Sequence, residues 1–150
     1  MKKLFTFLMK FVIAICIFAV VFAGSAYVGY LYITPSSYIS LNGTPSVKFS
    51  VNSFDRVINV EADNEMEEII NDLELNNTNI SNAVQKTVDE LVSDGYISQN
   101  NNSSLIISVS NTDANEANNM MKKLQDEIKI KLDGTKEIQM VKVEAIIIEK

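Results

Sequence analysis

The sequence predicts an α+β fold, a mixed or mainly antiparallel sheet covered by helices and preceded by one N-terminal transmembrane helix. Three observations carry this. Phe11 to Ile33 runs for 23 residues without a charge. Beyond it, stretches with period-two apolar alternation are interleaved with stretches whose apolar residues recur every three or four positions, the signatures of half-buried strands and of amphipathic helices. The order of those stretches, three strands, two helices, a strand, a helix and a strand, fits helices laid on one sheet.

At about 1.5 Å of rise per residue the apolar run extends about 34 Å, enough for a hydrocarbon core of about 30 Å. Lys2, Lys3 and Lys10 precede it, and the next positive charge is Lys48. The positive-inside bias therefore puts residues 1–10 in the cytoplasm as a short tail and residues 34–150 outside. Tyr27, Tyr30 and Tyr32 are placed for the outer headgroup belt. A removable signal peptide is the alternative, since the Lys-rich start and the small cluster Ala23-Gly24-Ser25-Ala26 also fit that pattern, which would make the product secreted. The length of the run, beyond a signal core of about 7–15 residues, favours a retained anchor. Cys16 reads as apolar filler within the helix, because Ile15 stands where a lipidated cysteine would need a small residue.

The exported part, residues 34–150, has the length of one domain. Tyr38–Leu41 suggests a short strand. Val47, Phe49 and Val51 alternate with Ser46, Lys48 and Ser50; after the turn-like Asn52-Ser53-Phe54-Asp55, the run Val57–Ala62 completes a hairpin. Asn64 with Glu67 resembles a helix cap ahead of the stripe Met66, Ile69, Ile70 and Leu73. Ile80, Ala83, Val84, Thr87, Val88, Leu91 and Val92 form the most regular helical stripe, with Gly95 at its stop. Ser98–Ser104 reads as a solvated Asn-rich connector, followed by a strand through Leu105, Ile107 and Val109. Asp113 with Glu116 starts a helix whose inward stripe is Ala117, Met121, Leu124, Ile128 and Leu132, ending before Gly134. Glu137 to Ile148 closes the chain as a long strand with Val141, Val143, Ala145 and Ile147 on one face.

Composition excludes several function classes. The net charge of −6 argues against nucleic acid and anionic lipid headgroups as partners. With no histidine, the usual acid/base group and zinc ligand are missing, and one cysteine allows no disulfide within the chain. Glu67/Glu68 and Asp126/Glu127 are adjacent pairs that diverge around a helix, so they read as solvated faces. Asn111-Thr112-Asp113-Ala114-Asn115 lacks the glycine and the terminal glutamate of a calcium loop, and a helix start explains it better. Arg56, the one arginine, is expected to pair with a nearby carboxylate. No enzyme activity, cofactor or metal is expected.

Tyr38-Ile39-Ser40-Leu41, Pro45-Ser46-Val47, Ser50-Val51-Asn52 and Phe54-Asp55-Arg56-Val57-Ile58 together resemble the start of the extracytoplasmic middle domain of RsgI-type anti-sigma factors, which reads roughly YVSLDINPSIELSVNRFDRVI directly after a transmembrane helix. The resemblance continues through Asp94-Gly95-Tyr96-Ile97 and Leu105–Ser110, covering about residues 30–148. Its motif residues are Ser46, Asn52, Phe54, Asp55 and Arg56. It implies a membrane-spanning regulator: a cytoplasmic domain restrains a sigma factor and the middle domain passes an outside signal inward. In that family the middle domain can cut its own backbone at the Asn-Pro bond of DINPS, the two pieces remaining paired as strands.

Two departures follow. Ten residues before the apolar run cannot fold into a sigma-binding domain. Sigma restraint would then come from a separate anti-sigma protein, or from a natural start upstream, or the domain is a stand-alone copy serving an envelope partner; MKKLFTFLMK reads as a natural start. In the candidate self-cleavage loop Asn42, Gly43, Thr44 and Pro45, threonine stands in place of the asparagine whose amide would attack its own carbonyl, so that route is lost. Attack of the Thr44 hydroxyl on the Gly43 carbonyl would be an N-to-O acyl shift needing backbone strain. The plainer reading is a turn of turn-forming residues. Asn42-Gly43 is also prone to slow deamidation.

Overall fold

The structure is a computed structural model that describes residues 2–43, 45–96, 105–133 and 141–147. It divides into two compact units, Met1–Ile33 and Thr34–Lys150. The first holds helix α1, Lys2–Ile33, within which Leu4–Ile33 is long and apolar enough to cross a membrane. The helix thus begins before the uncharged run and takes in Lys10: Leu4-Phe5-Thr6-Phe7-Leu8-Met9 contains neither glycine nor proline to stop it.

The second unit contains β1 (Pro35–Asn42), β2 (Val47–Asn52), β3 (Val57–Ala62), α2 (Asn64–Asp72), α3 (Ile80–Ser93), β4 (Leu105–Asn111), α4 (Ala114–Asp133) and β5 (Val141–Ile147). The five strands form one sheet in the order β3-β2-β1-β4-β5. All neighbours are antiparallel except β4 and β5, which are parallel and joined through α4, as parallel neighbours need a crossover. The sheet is therefore mixed, and the α+β layering holds. The strand β1 is twice the length expected from Tyr38–Leu41. Its first residues are polar, but Ser37 pairs with Val51 on one side and Asn111 on the other, so ladder bonding rather than apolar alternation extends the strand. Pro35 sits at its start, where a missing N–H is tolerated.

One sheet face is the core. Ile39 and Leu41 of β1 pair with Phe49 and Val47 of β2 and with Val109 and Ile107 of β4, and all six are buried. Against them pack Met66 and Ile70 of α2, the α3 stripe Ile80, Ala83, Val84, Val88 and Leu91, and Ala117, Met121, Leu124 and Ile128 of α4. The helical stripes are those expected, with Ile69, Leu73 and Val92 half-buried at their margins. Thr87, inside the α3 stripe, satisfies its hydroxyl on the Ala83 carbonyl at 2.9 Å. Leu75 joins the core from the α2–α3 loop, a lone leucine that periodicity did not mark. The opposite sheet face carries Tyr38, Ser40, Lys48, Asn59 and Glu61; Lys48 lies 5.3 Å from the Tyr38 ring centroid and 3.9 Å from Glu61.

Helix ends follow local chemistry, with one correction. The cap of α2 is Asp63 rather than Asn64, and its side chain makes no capping bond because its carboxylate is engaged by Ser46. Asn79 caps α3 through Oδ1 to the Ser81 N–H. Asp113 Oδ1 accepts from the N–H groups of Asn115 and Glu116 at the start of α4. After α3 ends at Ser93, Gly95 has φ +78 and its N–H donates to Val92, the left-handed stop its position suggested. The Ser98–Ser104 connector and the first part of the closing strand, Glu137–Met140, lie outside the described residues, as does the Leu132 side chain. By register, Val143 and Ala145 of β5 stand beside Ile107 and Val109.

Candidate functional site

The family-motif residues occupy two places on β2 and its flanks. The first is the loop from β1 to β2. Leu41 pairs with Val47, so residues 42–46 reverse the chain between two adjacent inner strands. Asn42, exposed at the end of β1, reaches diagonally across to β4, its Nδ2 donating to Ser108 Oγ at 3.0 Å. Gly43 is exposed in the bend, Pro45 is buried, and Thr44 lies outside the described residues. Ser46 is fixed from both sides of its backbone: its N–H and its hydroxyl donate to Asp63 Oδ2 at 2.9 and 3.0 Å, while its carbonyl accepts from the Asp63 N–H at 3.2 Å. The contact is charge-assisted, one carboxylate oxygen taking two donors. Asp63 was not singled out from the sequence. Its distance of 17 residues from Ser46 closes only when β3 pairs with β2 and brings Ala62 opposite Val47.

The second place is the turn from β2 to β3. Asn52 is 1% exposed, and its Oδ1 accepts from the N–H groups of Phe54 at 2.9 Å and Arg56 at 3.0 Å. Its own N–H donates to the Arg56 carbonyl, and its carbonyl accepts from Asp55. One side chain and one peptide unit thus hold the whole reversal, an Asx-type turn. Asp55 adopts φ 58, a left-handed conformation that Asp tolerates better than most residues. Phe54 is 46% exposed.

The α2–α3 loop docks on this turn. Val57 N–H donates to Thr78 O, Asn77 N–H to Val57 O at 2.7 Å, and Ile80 N–H to Asp55 O at 2.9 Å. Arg56 is exposed and its Nη1 donates to the Asn77 carbonyl at 2.7 Å. The expected carboxylate partner is therefore replaced by a backbone carbonyl. Ion pairs join Lys48 to Glu61 and Lys123 to Asp55, the latter at 3.2 Å, so the neighbouring carboxylate is drawn to α4 instead. The motif run around Asn52 is a junction where β2, β3, the α2–α3 loop and α4 meet. Its residues organise backbone, and no group of three or more metal-ligating side chains occurs among the described residues.

A third polar cluster joins β1 to the start of α4. Asn111, 6% exposed, donates to Ser37 Oγ at 2.8 Å and to Glu116 Oε2 at 3.1 Å, and accepts from Asp113 N–H at 2.8 Å. The Asn111–Asn115 string is thus a helix start tied to the sheet.

This layout places the loop 42–46 between inner strands that follow directly on a long apolar helix. The chain matches, over residues 36–150, the family described as anti-sigma factor RsgI-like central domain. It belongs to that family. Among curated proteins it is 22% identical over 121 residues to anti-sigma-I factor RsgI7 of Acetivibrio thermocellus, covering 81% of this chain and 22% of that one. It is 32% identical over 111 residues to anti-sigma-I factor RsgI9 of the same organism, covering 73% of this chain and 15% of that one. The chain therefore spans less than a quarter of the length of these relatives, and what it shares with them is the RsgI-like domain.

Proposed function

We propose that this chain is a single-pass membrane regulator whose RsgI-like domain stands outside the membrane and takes part in anti-sigma signalling through a partner. Its N-terminus is cytoplasmic, by the lysine bias around the apolar span. The observation that carries the reading is connectivity: Thr34 alone separates α1 from β1, and β1 is the middle strand of the RsgI-like sheet. Any load or ligand acting on the domain is felt by a strand bonded on both sides, over the register Ser37–Leu41 with β2 and Ser37–Asn42 with β4. With Thr44 in place of the family asparagine, the link from β1 to β2 stays covalent, so the outer domain acts as an uncut tether.

The test is capture through a C-terminal tag from gently solubilised membranes, comparing the native chain with one whose residues 34–150 are deleted. Recovery of an anti-sigma protein with the full chain alone is the expected result. Recovery of envelope polymers or envelope proteins only would favour an exported binding module without a transcriptional role.

A further inference from the structure

The pair Asn42-Gly43 is exposed at the end of β1 and open to a reaction that an Asn-Pro pair does not allow. An asparagine side chain can attack its own backbone carbonyl through Nδ2, breaking the peptide bond after it. Alternatively the following backbone nitrogen can attack the side-chain Cγ. Proline has no N–H for the second reaction. Glycine has one and, lacking Cβ, crowds the approach least. Here Nδ2 is engaged, donating to Ser108 Oγ at 3.0 Å across the sheet. Asn42 and Gly43 are both exposed, at the end of β1 and in the bend that follows. The bond to Ser108 ties the side-chain amide of Asn42 to the neighbouring strand, and both residues of the pair are solvent-exposed.

We propose that Asn42 is a spontaneous deamidation site that modifies the β1–β2 loop without cutting it. The Gly43 nitrogen, giving up its proton, bonds to Cγ of Asn42; the Cγ–Nδ2 bond breaks and ammonia leaves, forming a five-membered imide. Water then opens either carbonyl of the ring, yielding aspartate or isoaspartate at position 42. No oxidant or further reactant is needed. Aspartate replaces the Nδ2 donor by an anionic oxygen, to which the Ser108 hydroxyl can turn to donate. Isoaspartate also lengthens the backbone between β1 and β2 by one atom. The loop thereby acquires a slow gain of one negative charge.

The fold supplies an internal reference. Asp94-Gly95 could form the same imide, but the Gly95 N–H donates to the Val92 carbonyl at 3.1 Å in the α3 stop, which ties up the attacking nitrogen. The test uses the full-length protein in detergent micelles, incubated at neutral and mildly alkaline pH and sampled over time. Peptide mass spectrometry and isoaspartyl-specific methyl transfer are read at both sites. The expected result is a gain of one mass unit at residue 42, faster at the higher pH, with isoaspartate at 42 and none at 94. Asn42→Gln should abolish the signal. Two results would overturn the proposal: an unmodified residue 42 under conditions that deamidate a synthetic peptide of residues 38–48, or scission after Asn42 in place of the mass gain.

Discussion

Asn52 carries the turn between β2 and β3 because a single buried oxygen serves two N–H groups. Asn52→Ala would remove both of these part-buried bonds, each contributing about 0.5–1.5 kcal/mol net. Chemical denaturation of the RsgI-like domain should show a loss of about 1–3 kcal/mol, whereas Asn59→Ala, at an exposed position of β3, should change stability by less than about 0.5 kcal/mol. Equal effects would mean that the turn is held by its backbone alone. Asp63→Ala should be milder, about 1 kcal/mol, because its bonds to Ser46 lie at an exposed edge. The contrast between these two residues explains what the sequence could disclose. Asn52 bonds to positions two and four residues on, and stands in a motif that its neighbours spell out. Asp63 acts on Ser46 only through strand pairing, and Arg56 finds a carbonyl contributed by a loop 21 residues away, which no local pattern encodes.

At the scale of elements, the clearest stripe gives the sharpest mutational contrast. Val88 and Leu91 lie in the core side of α3, while Asn82 is exposed on the same helix. Val88→Asp or Leu91→Asp buries an unpaired carboxylate and should destabilise the domain by several kcal/mol, about 3 or more. Asn82→Asp should be within about 0.5 kcal/mol of the native chain. Thermal unfolding of the three variants decides it, and similar midpoints would mean that the buried face of α3 is assigned wrongly. The stripes of α3 and α4 were legible because a packed helix shows its core face at a fixed spacing. The strand β1 was only partly so. Ser37 is buried by pairing with Asn111 rather than by being apolar, so half of the strand that centres the sheet carries no alternation. The cap of α2 was misplaced by one residue because the residue that does cap it, Asp63, spends its side chain on Ser46 instead of the helix.

For the whole molecule, the order β3-β2-β1-β4-β5 was not legible from strand signals alone, since each strand reads the same wherever it pairs. Its consequence is that the strand tied to the apolar helix is the middle one. The resemblance implies self-cleavage at the far end of that strand, where Thr44 stands in place of the asparagine that would attack. Combining Gly43→Ile with Thr44→Asn rebuilds an INPS sequence in place of Gly43–Ser46. If the Ser46–Asp63 contact and the β1–β2 register suffice to set the geometry, this double variant should break before Pro45 on folding without added protease, visible as two fragments on a denaturing gel. An intact double variant would mean that the geometry for cutting has gone along with the asparagine.

The proposed covalent continuity of a membrane-retained α1 and an RsgI-like domain outside is tested most directly by the mass of the mature protein. A C-terminally tagged chain should be recovered from the membrane fraction as one species retaining α1 and the uncut 42–46 loop, and protease added from outside should remove the tag. A soluble exported species beginning near Tyr27, or a membrane-bound pair of fragments divided between Asn42 and Ser46, would contradict the uncut membrane tether.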